Sequence, residues 1–143
     1  MLSYCKEGTG RLVILCMKRG ELLLESIRNE LAKHGIKDAV ILSAIGSLSK
    51  AVLHRVTTMD IKAVDEFITI EQPIELSSLQ GFVLDGHPHF HMVISDLEKT
   101  YTGHLEDGTT VLYLAEISLL ELKNTNLKRV TNAAGLAEII PRN

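Results

Sequence analysis

Apolar positions along this chain fall into two periods, and the change of period marks its elements. Arg11 to Lys18 is an apolar run between Gly8-Thr9-Gly10 and Gly20, which predicts a buried strand. Between Glu21 and His34 the spacing becomes helical, with Leu23, Leu24, Ile27 and Leu31 forming one stripe. Glu21 and Glu25 lie near the start of that helix and Lys33 and His34 near its end, which suits the helix dipole. Gly35 is the expected stop, and His34 a cap-region residue. Strand patterns then dominate: Ala39 to Ile45 and Ala51 to Thr58, joined by a corner at Gly46-Ser47-Leu48-Ser49. Asp60 to Glu66 reads as a connection and Phe67 to Ile70 as a short strand. Ile74 to Leu84 and His89 to Ser95 follow, with Gly86 and Pro88 between them. Tyr101 to Leu105 is a returning strand, and Thr109 to Leu122 a long central one. From Asn126 the tail is expected to hold a short helix, with a turn at Gly135-Leu136. With no repeat, low-complexity segment or linker, residues 1–143 read as a single α+β domain. Its expected architecture is a mainly antiparallel sheet flanked by one main helix.

Bulk properties narrow the function classes. A chain of 143 residues with 45% hydrophobic and 23% charged content can bury a real core without staples. Its net charge of −3, with no Trp and only three Phe and three Tyr, disfavours nucleic acid as a partner. The nearest approach to a basic patch is Lys123 to Arg129. Cys5 and Cys16 are too few for a disulfide framework, and Cys16, inside an apolar run, is expected to be a buried thiol. The N-terminal stretch lacks the plan of a secretory signal, and Leu12 to Met17 is too short to span a bilayer. The expected location is cytoplasmic, with no membrane association.

The chemistry concentrates in histidine. Four of the six lie in His87-Pro88-His89-Phe90-His91 and at His104. Side chains alternate along a strand, so His89 and His91 share a face. Asp96-Leu97-Glu98-Lys99 reads as a turn, and a hairpin symmetric about Leu97 and Glu98 sets His91 opposite His104. Cross-strand Cβ atoms are about 4.5–5.5 Å apart, so His89, His91 and His104 would converge. Three imidazoles around an open fourth position make a zinc site, although copper, nickel or iron would also suit them. A slip of one residue would undo the arrangement, leaving only polar side chains on a wet strand face. Pro88 cannot donate to a ladder, so His87 is expected outside the regular strand and ranks below the other three. In the same register Glu106 faces His89, as a fourth ligand or a partner to a ligand. Glu116 falls away from His104, and His54 is read as a surface or satisfied core residue rather than a ligand.

Gly86-His87-Pro88-His89-Phe90-His91 followed by Thr102-Gly103-His104-Leu105 resembles the signature of the PPC domain, the plants and prokaryotes conserved domain. Arg19-Gly20-Glu21, Ala44-Ile45-Gly46-Ser47-Leu48-Ser49, Glu75-Leu76-Ser77-Ser78-Leu79-Gln80-Gly81 and Ala115-Glu116-Ile117 resemble further stretches of that family, in order. Thr102 departs from it, standing where glycine is more usual. The resemblance implies an antiparallel sheet flanked by a helix, assembly as a homotrimer, and a metal at His89, His91 and His104. The Arg-Gly-Arg-Pro hooks through which plant members bind DNA have no counterpart in this sequence. A more distant likeness to acetolactate decarboxylases extends only to the metal cradle.

Two function classes follow. One is a trimeric binding or regulatory module that carries a metal and takes a small molecule, a protein or nucleic acid. The other is a zinc-dependent lyase or hydrolase acting on a small metabolite, with zinc polarising a carbonyl or activating water and Tyr101, Thr102 or Glu106 lining the pocket. A cupin-type enzyme ranks last, because the second cupin motif is missing. No catalytic residue can be named from sequence.

Overall fold

The computed structural model describes residues 8–142. Chain order is β1 (Thr9–Lys18), α1 (Leu23–Lys33), β2 (Ala39–Val56), β3 (Asp65–Leu84), β4 (His87–Ser95), β5 (Thr100–Leu105), β6 (Thr110–Leu122), β7 (Leu127–Thr131) and β8 (Ala137–Pro141). Six strands form one antiparallel sheet in the order β1-β6-β2-β3-β4-β5, and β7 and β8 form a separate hairpin. The sheet also closes on itself. β2 pairs with β3 along one edge, while its other edge takes β6 and then, at Leu53 and His54, β5. Strands β2, β3, β4 and β5 therefore make a ring around a core that includes Leu53, Leu76, Phe90, Ile94 and Leu105.

The helix forms where the apolar stripe predicted it. Leu23, Leu24, Ile27 and Leu31 are its buried residues. Leu22 gives no side-chain cap, and the start is held instead by Leu23 N–H donating to the Thr109 carbonyl at 2.8 Å. At the other end Gly35 takes φ +67°. Ile36 N–H reaches the Leu31 carbonyl and Gly35 N–H the Ala32 carbonyl, a Schellman closure that needs a residue tolerant of left-handed backbone. His34 is the C-cap, as expected.

Several elements differ from the sequence reading. The two strands expected around Gly46 are one bent strand, β2, interrupted by register shifts. Gly46 is required there by close approach, since a Cβ would stand 2.6 Å from the Ala115 Cα. Phe67 to Ile70 and Ile74 to Leu84 likewise merge into β3, with Pro73 at the register shift between Leu48 and Lys50, a place where a missing N–H is tolerated. β1 is an edge strand rather than a buried one: Leu12 and Ile14 are 57% and 64% exposed, and Cys16 is an exposed thiol. Cys5 lies outside the described residues. The tail forms the β7–β8 hairpin and not a helix, and Arg142 latches it by ion pairs to Asp38 and Asp85. No helix among the described residues is long and apolar enough to cross a membrane.

Candidate metal centre

Two hairpins set the register of the site, and both are closed by local chemistry. Between β3 and β4, Asp85 and Gly86 take φ values of +53° and +79°. Positive φ at both central positions is the two-residue turn whose twist matches that of paired strands, and Asp-Gly is a preferred sequence for it. The turn lets β4 begin at His87, opposite Leu84, so Pro88 sits at the strand start and His87 is inside the ladder rather than before it. Between β4 and β5, Asp96 Oδ1 accepts from the backbone N–H of Glu98 and of Lys99, each at 2.7 Å. That clamp centres the turn on Leu97 and Glu98, and His91 consequently pairs with His104.

Alternation then places His89, His91 and His104 on the outer face of the sheet, away from the core. Their rings gather closely. His89 Nε2 lies 3.3 Å from His91 Nε2. Ring centroids are 4.9 Å apart for His89 and His104 and 5.6 Å for His91 and His104. With metal–nitrogen bonds of about 2.0–2.1 Å, tetrahedral zinc holds its ligand nitrogens about 3.3–3.4 Å apart. The His89–His91 pair has that spacing.

A fourth histidine, missed in the sequence reading, joins the group. β5 crosses back to β2 so that His54 pairs with His104, and their rings stack at 4.5 Å. Gly103 permits this approach, because a Cβ there would stand 2.6 Å from the His54 carbonyl oxygen. Glu106 serves both rings, with Oε1 lying 2.6 Å from His54 Nδ1 and 2.9 Å from His104 Nδ1. An ionised carboxylate only accepts, so these partners assign the proton to Nδ1 of each ring and leave each Nε2 with a lone pair. A carboxylate behind an imidazole in this way orients the ring and raises its basicity toward a metal. His54, His104 and Glu106 also bring one ligand atom each within 4.8 Å of one another. The donors that converge within that span are thus two imidazoles and one carboxylate, with His89 and His91 paired to each other outside that trio, and the residues His54, His104 and Glu106 fit a metal site.

Electrostatics favour the neutral rings that a metal needs. Burial, then the nearby Arg129 cation and then the neighbouring imidazoles hold His89 down to a pKa of about 4. Burial lowers His104 as well, against the raising effect of Glu106. Arg129 lies on β7, and its charge is felt at His89.

Other expected participants lie elsewhere. Tyr101 packs against the core and donates its hydroxyl to Asp96, so it does not line the site. Thr102 shares the outer face with His104 and pairs with Val93, and the strand absorbs the replacement of glycine. Glu116 pairs with Cys16 and Ile45, well across the sheet. His87 is exposed and has no ring contact with the cluster.

The model of the Plants and Prokaryotes Conserved (PCC) domain, the PPC domain of the sequence resemblance, matches residues 4–123. The chain belongs to that family. A plant- and prokaryote-conserved protein from Pyrococcus horikoshii is 30% identical, with 95% of each chain covered and a TM-score of 0.80. A metal-containing protein from Archaeoglobus fulgidus is 25% identical, covering 97% of this chain and 99% of its own, with a TM-score of 0.81. A Bacteroides thetaiotaomicron protein, for which DNA binding has been advanced, shares the fold at 18% identity, 99% and 98% coverage and a TM-score of 0.78. Part of the bifunctional protein GlmU of Synechococcus sp. is 26% identical over 115 residues, and this chain spans 18% of that protein's length. Arg129 and the β7–β8 hairpin lie beyond the stretch that the PCC model matches.

Proposed function

We propose that this PCC-domain protein is a trimeric binding or regulatory module carrying one divalent transition metal, zinc first, per chain. His89, His91 and His104 would hold the ion, with Glu106 and His54 behind them. The observation that carries this reading is the 3.3 Å approach of His89 and His91 in a strand register that puts His104 directly opposite. The metal-containing Archaeoglobus relative supports it. Trimer formation is supported by the apolar character of the sheet's outer face: Leu12, Ile14, Leu42, Ile45 and Leu114 are all more than 45% exposed. Five large apolar side chains left exposed on three adjacent strands favour a covering partner.

DNA binding, advanced for the Bacteroides protein, is the weaker reading here. Net charge is −3, and Arg129 is half-buried rather than on a free basic face. A zinc-dependent lyase or hydrolase acting on a small metabolite is the second reading, favoured by that same arginine. The deciding experiment is elemental analysis of untagged protein beside a His89→Ala, His91→Ala double variant. Near-stoichiometric zinc in the wild type alone is the expected result. Equal metal in both proteins, or none in either, refutes the assignment.

A further inference from the structure

A closed ring of hydrogen bonds stands behind the histidines. The Val52 N–H donates to Thr109 Oγ1 at 3.0 Å, and the Thr109 hydroxyl reaches the Glu106 carbonyl at 3.2 Å. The Glu106 N–H then donates to the Val52 carbonyl at 3.0 Å. That carbonyl also lies 3.2 Å from the Thr109 hydroxyl, but it already takes the Glu106 proton, which leaves the Glu106 carbonyl to close the ring. Thr109 has no exposed surface, so bulk water does not compete for these bonds.

The ring joins two segments that must agree for the site to form. Val52 lies two residues before His54 on β2, and Glu106 two residues after His104, just past the end of β5. The contacts of Glu106 Oε1 with His54 and His104, 2.6 Å and 2.9 Å, therefore depend on a spacing that the Thr109 hydroxyl sets. Threonine is β-branched and stiff at χ1, so that hydroxyl follows the backbone. Helix α1 braces the same turn. Leu23 N–H donates to the Thr109 carbonyl and Gly108 N–H to Glu25 Oε1, each at 2.8 Å. Arg28 also pairs with Asp107, but both side chains are largely exposed and such a pair contributes little. Glu25 Oε2 is the telling atom: it is shielded from solvent and finds no hydrogen-bond partner among the described residues. A carboxylate oxygen left in that state works against stability, so the grip on Gly108 is what Glu25 contributes.

We propose that Thr109 is a positioning residue for the metal centre, holding the Glu106 carboxylate against His54 and His104, and that Glu25 on α1 braces the turn that carries it. The proposal rests on the metal reading for what the rings finally bind, and on the hydrogen-bond ring alone for how they are held. Without the hydroxyl the Glu106 backbone loosens from β2 and the carboxylate moves off the two Nδ1 protons. Both imidazoles then lose their fixed tautomer before any metal is added.

The test begins on the metal-free full chain, above neutral pH, with nitrogen NMR of the imidazoles. Zinc competition with a chromophoric chelator and urea unfolding follow. Wild type is expected to show the Nδ1–H form at His54 and His104. Thr109→Ser should keep that form and bind zinc within about twofold of wild type, whereas Thr109→Val should show mixed tautomers and bind zinc about tenfold more weakly or worse. Glu25→Leu should weaken zinc about threefold or more, with a urea midpoint at or above the wild-type value because the orphaned oxygen is gone. Glu30→Gln, on the same helix but paired only with Lys33 and His34, is the control and should change neither. Unchanged tautomers and zinc affinity in Thr109→Val overturn the proposal. So does a loss that Thr109→Ser shares, or one that follows urea stability across the variants. Should Thr109→Val not fold, Glu25→Leu decides, since it leaves the ring of bonds untouched, and wild-type zinc affinity there overturns the proposal. A chain with the Nδ1–H tautomers that never holds zinc refutes the metal reading alone. Stoichiometric zinc with tautomers indifferent to Thr109→Val refutes this proposal alone.

Discussion

Replacing Gly103 by alanine tests whether closure of the β2–β5 contact is what builds the site. The added Cβ would stand 2.6 Å from the His54 carbonyl oxygen and 2.6 Å from Leu53 Cδ1. A carbonyl in a paired strand cannot swing away, and Leu53 is fully buried. Restoring an ordinary 3.4 Å contact therefore moves β5 away from β2 by about 0.8 Å. Overpacking of this kind costs about 1–3 kcal/mol. The effect on the metal should be greater, because ligand positions are held to about 0.2 Å in a good site. His104 is the residue after Gly103, so Gly103→Ala carries a ligand and its Glu106 contact out of place together. A tenfold to hundredfold loss of zinc affinity is expected, about that of losing a partner behind a ligand. Competition with a chromophoric chelator reads the affinity, and urea unfolding at fixed protein concentration reads the stability. Gly35→Ala is the control. It has open space around it but φ +67°, so it should cost about 1–2 kcal/mol and leave zinc affinity unchanged. If Gly103→Ala binds zinc like the wild type, or if both variants lose affinity in step with stability, the closure argument fails.

Further predictions concern the groups around this contact. Glu106→Gln keeps the shape but weakens the grip on both Nδ1 protons, so zinc affinity should fall about tenfold or more with little change in fold; chelator competition at one pH checks it. Arg142→Met unlatches the tail from Asp38 and Asp85 and leaves Asp38, only 8% exposed, without its cation. A loss of about 1–3 kcal/mol is expected, with earlier proteolysis in the tail than elsewhere, and an unchanged urea midpoint would contradict it. Hydrogen bonds from Arg11 hold the Glu121 carboxyl at about 2, below its ordinary 4.5. A depressed carboxylate contributes stability that is present above the unfolded value and lost as pH falls through the folded one. Acid titration between pH 4.5 and 2 should therefore destabilise the wild type more steeply than Arg11→Met, and parallel curves would refute the pairing.

What could be read from sequence depended on how local its cause was. The helix carries its own stripe and its own glycine stop, and both needed only neighbours within a few residues. The register of His91 with His104 was legible for the same reason, because Asp96 clamps a turn whose centre fixes every pair in the hairpin. Strand continuity was not legible. Gly46 and Pro73 look like breaks, yet each sits at a register shift or close approach that a strand can hold once its partner is present. The buried reading of β1 failed because apolar residues on both faces cannot say whether the second face is covered within one chain. The tail failed because its hairpin is held by Arg142 reaching back to Asp38, a contact with no local trace.

The same distinction orders the site itself. His89, His91 and His104 come from one hairpin and announce themselves by spacing. His54 arrives only through the β2–β5 pairing, fifty residues away, and the enabling feature is the side chain that Gly103 lacks. Its one sequence signal was the glycine before His104, whose meaning depends on knowing what it faces. Arg129 arrives from a separate hairpin and had no signal beyond being one cation among several. These late arrivals change the chemistry more than the early ones do. Three histidines alone would be an exposed metal perch. His54 and Glu106 fix proton positions behind it, and the Arg129 charge helps hold His89 neutral. A neutral imidazole keeps a lone pair for a metal, so these contacts prepare the rings for an ion rather than for a proton.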